Sequence, residues 1–125
     1  MKKTGRPVSP HVTIFAFPVT ALSSITKRLT GMMLSVGAAG LGSIELLGGS
    51  GSALALMEVV GSQGFLISGG AKFAVSFPII YHYLGALRHM AWHYTPDMLN
   101  NVDVEKSSYA LFGGVAVISA GLTFV

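Results

Sequence analysis

The stretch AKFAVSFPIIYHYLGALRHMAWHY, residues 71–94, is predicted to form an apolar helix that ends in a cluster of polar side chains, and the rest of the chain is interpreted around it. His82 and His89 are seven residues apart, so on an α-helix they share one face within about 20°. Gly85 lies between them and is predicted to leave room for a flat group near the backbone. Pro78 is expected to bend the helix. A histidine inside an apolar span is costly without a partner, which makes His82 a candidate functional residue.

Composition predicts an integral membrane protein of the all-α class. The chain has 125 residues, of which 51% are hydrophobic and 10% are charged, whereas soluble domains carry about 25% charged residues. Its length fits a single domain, residues 1–125. The absence of cysteine excludes disulfides, cysteine-ligated clusters and thiol catalysis. A net charge of +3 is too small and too scattered to indicate nucleic-acid binding.

Long apolar runs predict three transmembrane helices. The predicted segments are an extended arm at 1–20 and spans at about 24–48, 65–93 and 108–125. Residues 48–52 (GGSGS) are expected to form a flexible turn, followed by a short interfacial helix within 53–64 whose Glu58 faces water. Residues 95–106 are expected to be a polar connection. In the first span, small residues recur every four positions and predict a surface for close helix packing: Gly31, Ser35, Ala39 and Ser43.

The distribution of positive charge predicts the orientation of these spans. Of the 8 lysine and arginine residues, all except Lys72 fall on the side that holds the amino terminus and the 95–106 connection: Lys2, Lys3, Arg6, Lys27, Arg28, Arg88 and Lys106. By the positive-inside rule, that side is the cytoplasm or the mitochondrial matrix. Lys72 lies within the second span, so we expect its side chain to extend back to the interface or to pair with a neighbouring subunit.

Three motifs together resemble a known family. RPVSPHVTIF (6–15), SSITKRLTG (23–31) and AKFAVSFPIIYHYLGALRHMAWH (71–93) are similar to the large cytochrome b subunit of succinate dehydrogenase, respiratory complex II. The resemblance implies a membrane anchor whose helical bundle is completed by a small anchor subunit. The two subunits would share haem b and help form the ubiquinone-reduction site. The resemblance also implies attachment to an iron–sulfur subunit and a flavoprotein subunit, in contact with membrane lipid. The anchor itself would carry no succinate chemistry.

The resemblance also assigns roles in a haem site to particular residues. His82 matches the axial ligand of haem iron, and the second axial ligand would come from the small anchor subunit. Arg88 and His89 match the pair that approaches the haem propionates. Lys27 stands where the family commonly has histidine, and its positive charge would serve a propionate in the same place. The family tends to have an acidic residue at the position of His93, so a proton-delivery role for a carboxylate does not carry over.

The resemblance places the ubiquinone pocket at the start of the first span. Ser24 and Arg28 match the family's serine and arginine at this pocket, and they are four residues apart on one helix face. The arm from Arg6 to Phe15 matches the segment that docks against the iron–sulfur subunit. The mitochondrial inner membrane is the expected location, with the bacterial cytoplasmic membrane as the alternative.

Other readings of these residues stay open from the sequence. His82 could bridge helices in a non-redox assembly or transport subunit. A quinol–fumarate reductase would use the same residues with electron flow reversed. His89 and His93 have the spacing of a metal-binding pair, although no third ligand is evident.

Overall fold

A computed structural model describes Gly5, Pro7 and residues 9–125, with residue 12 described by its backbone. The helices are α1 (His11–Ile14), α2 (Val19–Gly48), α3 (Ser52–Gly61), α4 (Phe65–Tyr94) and α5 (Asn101–Leu122), and a 3-10 turn at Pro96–Met98 precedes α5. The described part of the chain contains no strand. The predicted all-α class is therefore confirmed.

The three long helices differ in how well they fit a membrane span. Among the described helices, only α2 is both long and apolar enough to cross a membrane. With 30 residues it is about 45 Å long. The helix α4 also has 30 residues, but Lys72 and Arg88 bound its uncharged centre, and α5 begins with charged residues, Asp103 among them. Three long helices are present, and three membrane spans stay a prediction.

The helices α2 and α5 run in the same direction, and α4 runs antiparallel to both. The Tyr81 hydroxyl in α4 donates a hydrogen bond of 3.0 Å to the Ser23 carbonyl near the start of α2. Arg88, near the end of α4, reaches Ser108 near the start of α5. The starts of α2 and α5 therefore meet the end of α4. We call this the cationic end, because it holds Lys27, Arg28, Arg88 and Lys106. The other residues predicted for this side lie outside the described part of the chain: Lys2, Lys3 and Arg6.

A small aromatic core joins α4 to α5. Tyr81 and Val115 are fully buried, and Leu111 is nearly so. The ring of Tyr81 packs against Phe112 with centroids 5.2 Å apart. Pro78 is buried close by, and α4 continues through it without interruption. Most other large apolar side chains of the described residues are exposed, as expected of a chain whose outer faces meet lipid or another subunit.

The turn between α2 and α3 is held by a carboxylate. Gly49 and Gly51 adopt left-handed φ values of 90° and 89°, which glycine reaches without steric cost. Glu45 accepts hydrogen bonds from the backbone N–H groups of Gly51 (2.6 Å) and Ala53 (2.9 Å) at the start of α3. A carboxylate is favourable there because the helix N-terminus carries unpaired N–H groups and a positive dipole. The sequence predicted the turn and the short helix with an exposed Glu58, but not this cap.

Two segment predictions need correction. The arm is not extended throughout, because His11–Ile14 forms one helical turn. Residues 101–106 belong to α5 rather than to a polar connection. The cause is a helix cap, since the Asn100 side chain accepts a hydrogen bond of 2.9 Å from the N–H of Asp103. An asparagine cap followed by an acidic residue in the first turn, here Asp103, stabilises a helix start.

In the described structure, the small-residue stripe of α2 packs against another helix at its first member and is exposed along the rest. Gly31 contacts α4, whereas Ser35, Ala39 and Ser43 are exposed. Further along, a groove of about 650 Å³ is lined mainly by apolar residues of α3 and α4, among them Leu56 and Val75, and Lys72 lies at its wall. The expectation that Lys72 extends to the interface or meets a neighbour stays a prediction.

Candidate functional site

His82 is half-buried in α4 and faces the backbone of α2. Its Nδ1 lies 3.1 Å from the carbonyl oxygen of Lys27. A carbonyl oxygen only accepts hydrogen bonds, so Nδ1 must carry the proton and donate it. The lone pair of the neutral imidazole is then on Nε2, which is the arrangement found in histidines that ligate a metal through Nε2.

Gly31 makes the space in which this imidazole lies. A Cβ atom added at Gly31 would be 2.9 Å from Cε1 of His82 and 3.3 Å from its Nδ1. The shorter of these separations is closer than real Cβ atoms approach a neighbour. The stripe beginning at Gly31 was predicted as a helix-packing surface, and the structure identifies its first partner as His82.

The predicted open space at Gly85 is wrong. Gly85 is buried, and the side-chain Cδ of Lys27 would lie 3.4 Å from a Cβ placed there. The methylene groups of Lys27 thus cover Gly85, as long basic side chains often cover apolar surface. The reason is that this face of α4 is turned toward α2 of the same chain. Gly85 allows the two helices to approach closely, rather than admitting a flat group.

Arg88 joins the three long helices at the cationic end. Its Nη2 donates a hydrogen bond of 2.6 Å to Oγ of Ser23 in α2, and its Nη1 donates one of 3.0 Å to Oγ of Ser108 in α5. The guanidinium also lies 4.6 Å from the ring centroid of Trp92, within the range of a cation–π contact. Its buried Nε–H has no hydrogen-bond partner among the described residues. The guanidinium therefore has a structural role within this chain.

Sequence reasoning missed Ser23 and Ser108, both of which are fully buried. One signal could have identified them. Tyr81 and Arg88 are seven residues apart and share a helix face. A guanidinium turned into a bundle needs acceptors, and small hydroxyl residues stand at the start of each neighbouring helix.

Ser24 and Arg28 lie on the outside of the bundle. Both are exposed, and successive residues on a helix are about 100° apart, so Ser24 points outward while Ser23 points inward. The structure keeps Ser24 and Arg28 together on one face of α2. It does not bring them into the cluster that contains His82.

His89 and His93 do not form a metal site in the described structure. Both are exposed. The ring of His89 lies against Trp92 with centroids 5.0 Å apart, and that of His93 against Tyr94 at 5.4 Å. Among the described residues, no group of three or more histidine, cysteine or acidic side chains could hold a metal ion. Each histidine contacts a different aromatic ring, and no third ligand joins the pair.

Comparison with known proteins gives one consistent result. The family model described as "Succinate dehydrogenase/Fumarate reductase transmembrane subunit" matches residues 2–122. The mitochondrial succinate dehydrogenase cytochrome b560 subunit of Dictyostelium discoideum is 36% identical over 100% of this chain and 65% of its own length. The human protein of the same name is 37% identical over 71% of this chain and 53% of its length. The cytochrome b556 subunit of Paracoccus denitrificans is 31% identical over 100% of this chain and 94% of its length. The chain thus spans between about half and two thirds of these mitochondrial relatives.

The contact between Arg88 and Ser108 can be tested with a neighbouring serine as control. Ser107 and Ser108 both donate to the carbonyl of Val104, but only Ser108 accepts from Arg88. We expect Ser108→Ala to lower the free energy of unfolding by about 1.5–3 kcal/mol, since it removes a hydrogen bond to a charged group. Ser107→Ala should change it by less than about 0.5 kcal/mol. Denaturant midpoints of the purified protein in detergent measure both, and equal midpoints would show that Arg88 does not hold α5.

Proposed function

The chain belongs to the succinate dehydrogenase/fumarate reductase transmembrane subunit family, and we propose that it is a cytochrome b membrane anchor of succinate dehydrogenase. In this role it holds haem b through His82 and helps form the site where electrons from succinate reach ubiquinone. The observation that carries the proposal is the hydrogen bond from Nδ1 of His82 to the Lys27 carbonyl, because it leaves Nε2 free to bind iron.

The residues around His82 fit a haem ligand. A histidine that ligates a metal usually donates its other N–H to a carbonyl or carboxylate, which fixes the tautomer and raises the basicity of the ligand. The Lys27 carbonyl supplies that acceptor from a helix backbone, where it cannot move independently. Bound haem would supply a one-electron redox centre. We propose that His82 would supply one ligand to the haem iron and that the small anchor subunit would supply the other.

Basic side chains near His82 suit the propionates of a haem. Lys27 contacts His82 through its backbone and belongs to the cationic end, and exposed His89 follows His82 on the same face of α4. We assign both to the propionates. For Arg88, the bonds to Ser23 and Ser108 occupy one N–H of each Nη. Since arginine has five N–H donors, its remaining donors and its charge would serve a propionate.

The exposed surfaces support a multi-subunit membrane assembly. We propose that α2, α4 and α5 all span the membrane, with the cationic end on the matrix or cytoplasmic side. The exposed stripe of Ser35, Ala39 and Ser43 is suited to close packing against a helix of the small anchor subunit. Near the amino terminus, the exposed rings of Phe15 and Phe17 pack edge to face, with centroids 5.9 Å apart. They offer an apolar contact for the iron–sulfur subunit, which would carry the flavoprotein subunit.

We place ubiquinone at Ser24 and Arg28, whose exposure on α2 leaves them accessible to a substrate that arrives through lipid. The serine hydroxyl can donate a hydrogen bond to a quinone carbonyl oxygen. That oxygen gains negative charge during reduction, and a permanently charged guanidinium stabilises it. The same residues would serve a quinol–fumarate reductase, a second candidate because the family description names both enzymes.

Replacement of His82 tests haem ligation. In the purified complex, His82→Leu should abolish the low-spin, six-coordinate b-type spectrum or leave a five-coordinate species, because leucine offers no ligand. The control is His93→Leu, which removes an exposed imidazole from the same helix and should leave the spectrum unchanged. Optical spectra and a pyridine haemochrome assay measure coordination and haem content. A normal low-spin spectrum in His82→Leu would contradict the assignment.

Replacement of Ser24 and Arg28 tests the quinone site. Ser24→Ala and Arg28→Leu should each lower succinate–ubiquinone reductase activity, by up to about 10²–10³-fold if the site is shielded from water and by less at an exposed position. Succinate oxidation by an artificial acceptor that takes electrons from the soluble subunits should persist. A parallel loss of both activities would indicate a role in assembly. Unchanged quinone reduction would show that other groups line the pocket.

A further inference from the structure

The Lys27 carbonyl lies within hydrogen-bond distance of two side-chain donors from different helices, in addition to the backbone N–H of Gly31 that the α-helix pairs with it. Besides Nδ1 of His82, it accepts the hydroxyl of Thr30 at 2.9 Å. Thr30 is only 2% exposed, which makes it one of the few buried polar residues of the described chain. A carbonyl oxygen has two lone pairs, so the two side-chain donors and the helix N–H share the electron density of one atom.

Gly31, the next residue of α2, restricts the same imidazole from the side. Its missing side chain leaves a gap that the Cε1 edge of His82 fills, since a Cβ there would be 2.9 Å from that atom. The ring is thus held at two points, its Nδ1–H by the carbonyl and its Cε1 edge by the glycine. Thr30 and Gly31 are consecutive. The Thr30 hydroxyl shares the hydrogen-bond acceptor of His82, whereas Gly31 contacts the imidazole ring.

We propose that Thr30 and Gly31 are positioning residues that set the basicity and the ring orientation of His82. The inference rests on the proposed function, in which His82 ligates haem iron. The hydroxyl of Thr30 weakens the carbonyl as an acceptor for Nδ1–H and so limits the basicity of the ligand. Gly31 fixes the plane in which Nε2 is presented.

Loss of the Thr30 hydroxyl is expected to lower the midpoint potential of the haem. Removing the Thr30 hydroxyl leaves the carbonyl with more electron density for Nδ1–H of His82, and this hydrogen bond strengthens. A stronger bond at Nδ1 makes Nε2 more basic. A more basic axial ligand favours the oxidised over the reduced iron, so the midpoint potential falls. The hydroxyl thereby tunes the potential without touching the cofactor.

The test compares two threonines of the same helix in the intact complex. Thr26 also donates its hydroxyl to a carbonyl of its own helix, that of Leu22 at 2.8 Å, and this carbonyl is not the one that His82 uses. Thr30→Val should shift the haem midpoint potential to a more negative value while the low-spin spectrum persists. Thr26→Val should leave the potential unchanged, and Thr30→Ser, which keeps the hydroxyl, should restore it. Equal potentials in Thr30→Val and Thr26→Val, or a positive shift, would overturn the role of Thr30.

The role of Gly31 is tested with a second glycine. A Cβ at Gly37 would meet nothing within 4 Å, so Gly37→Ala should behave as the wild type. Gly31→Ala should displace the imidazole and lower haem affinity by about 10–100-fold, as changes that reorient a metal ligand do. Haem content after dilution into haem-free detergent measures this. If both alanine variants retain haem equally, the role of Gly31 is wrong; a normal spectrum in His82→Leu would instead refute the proposed function.

Discussion

The guanidinium of Arg88 is the contact on which the arrangement of the helices depends. It binds Ser23 in α2 and Ser108 in α5 while belonging to α4, so one charged group fixes the relative positions of the three long helices. In a membrane the hydrophobic effect does not drive helices together, and polar contacts of this kind contribute to specific association. A partly buried cation also makes other arrangements costly, because a helix rotated out of place would leave the guanidinium without acceptors.

The position of His82 follows from this arrangement. Arg88 and Tyr81 both reach Ser23, which sets the rotation of α4 against the first turns of α2. His82 then meets the Lys27 carbonyl and the gap at Gly31. The backbone of one helix thus orients a side chain of another, and the acceptor is as rigid as the helix that contains it. This is how a chain with a small buried core can hold one side chain in a defined orientation.

The exposed apolar surface of this chain is suited to contact with other subunits and with lipid. Apart from the core around Tyr81, most large apolar side chains of the described residues are exposed, and so are the members of the small-residue stripe after Gly31. Small residues in a row allow close approach of another helix. The proposed small anchor subunit and lipid would share these faces. Inside the chain, by contrast, polar groups at the cationic end make the specific contacts.

The all-α class, the approximate extents of the long helices and the face of α4 that carries His82 follow from the sequence alone, because helical periodicity and apolar runs depend only on neighbouring residues. The contacts between helices depend on the tertiary structure. Arg88 binds buried Ser23 rather than exposed Ser24. The side chain of Lys27 fills the space at Gly85, and Gly31 lies against His82. Periodicity defines the face of a helix but not its rotation against a neighbour, and a rotation of one residue, about 100°, exchanges buried for exposed positions.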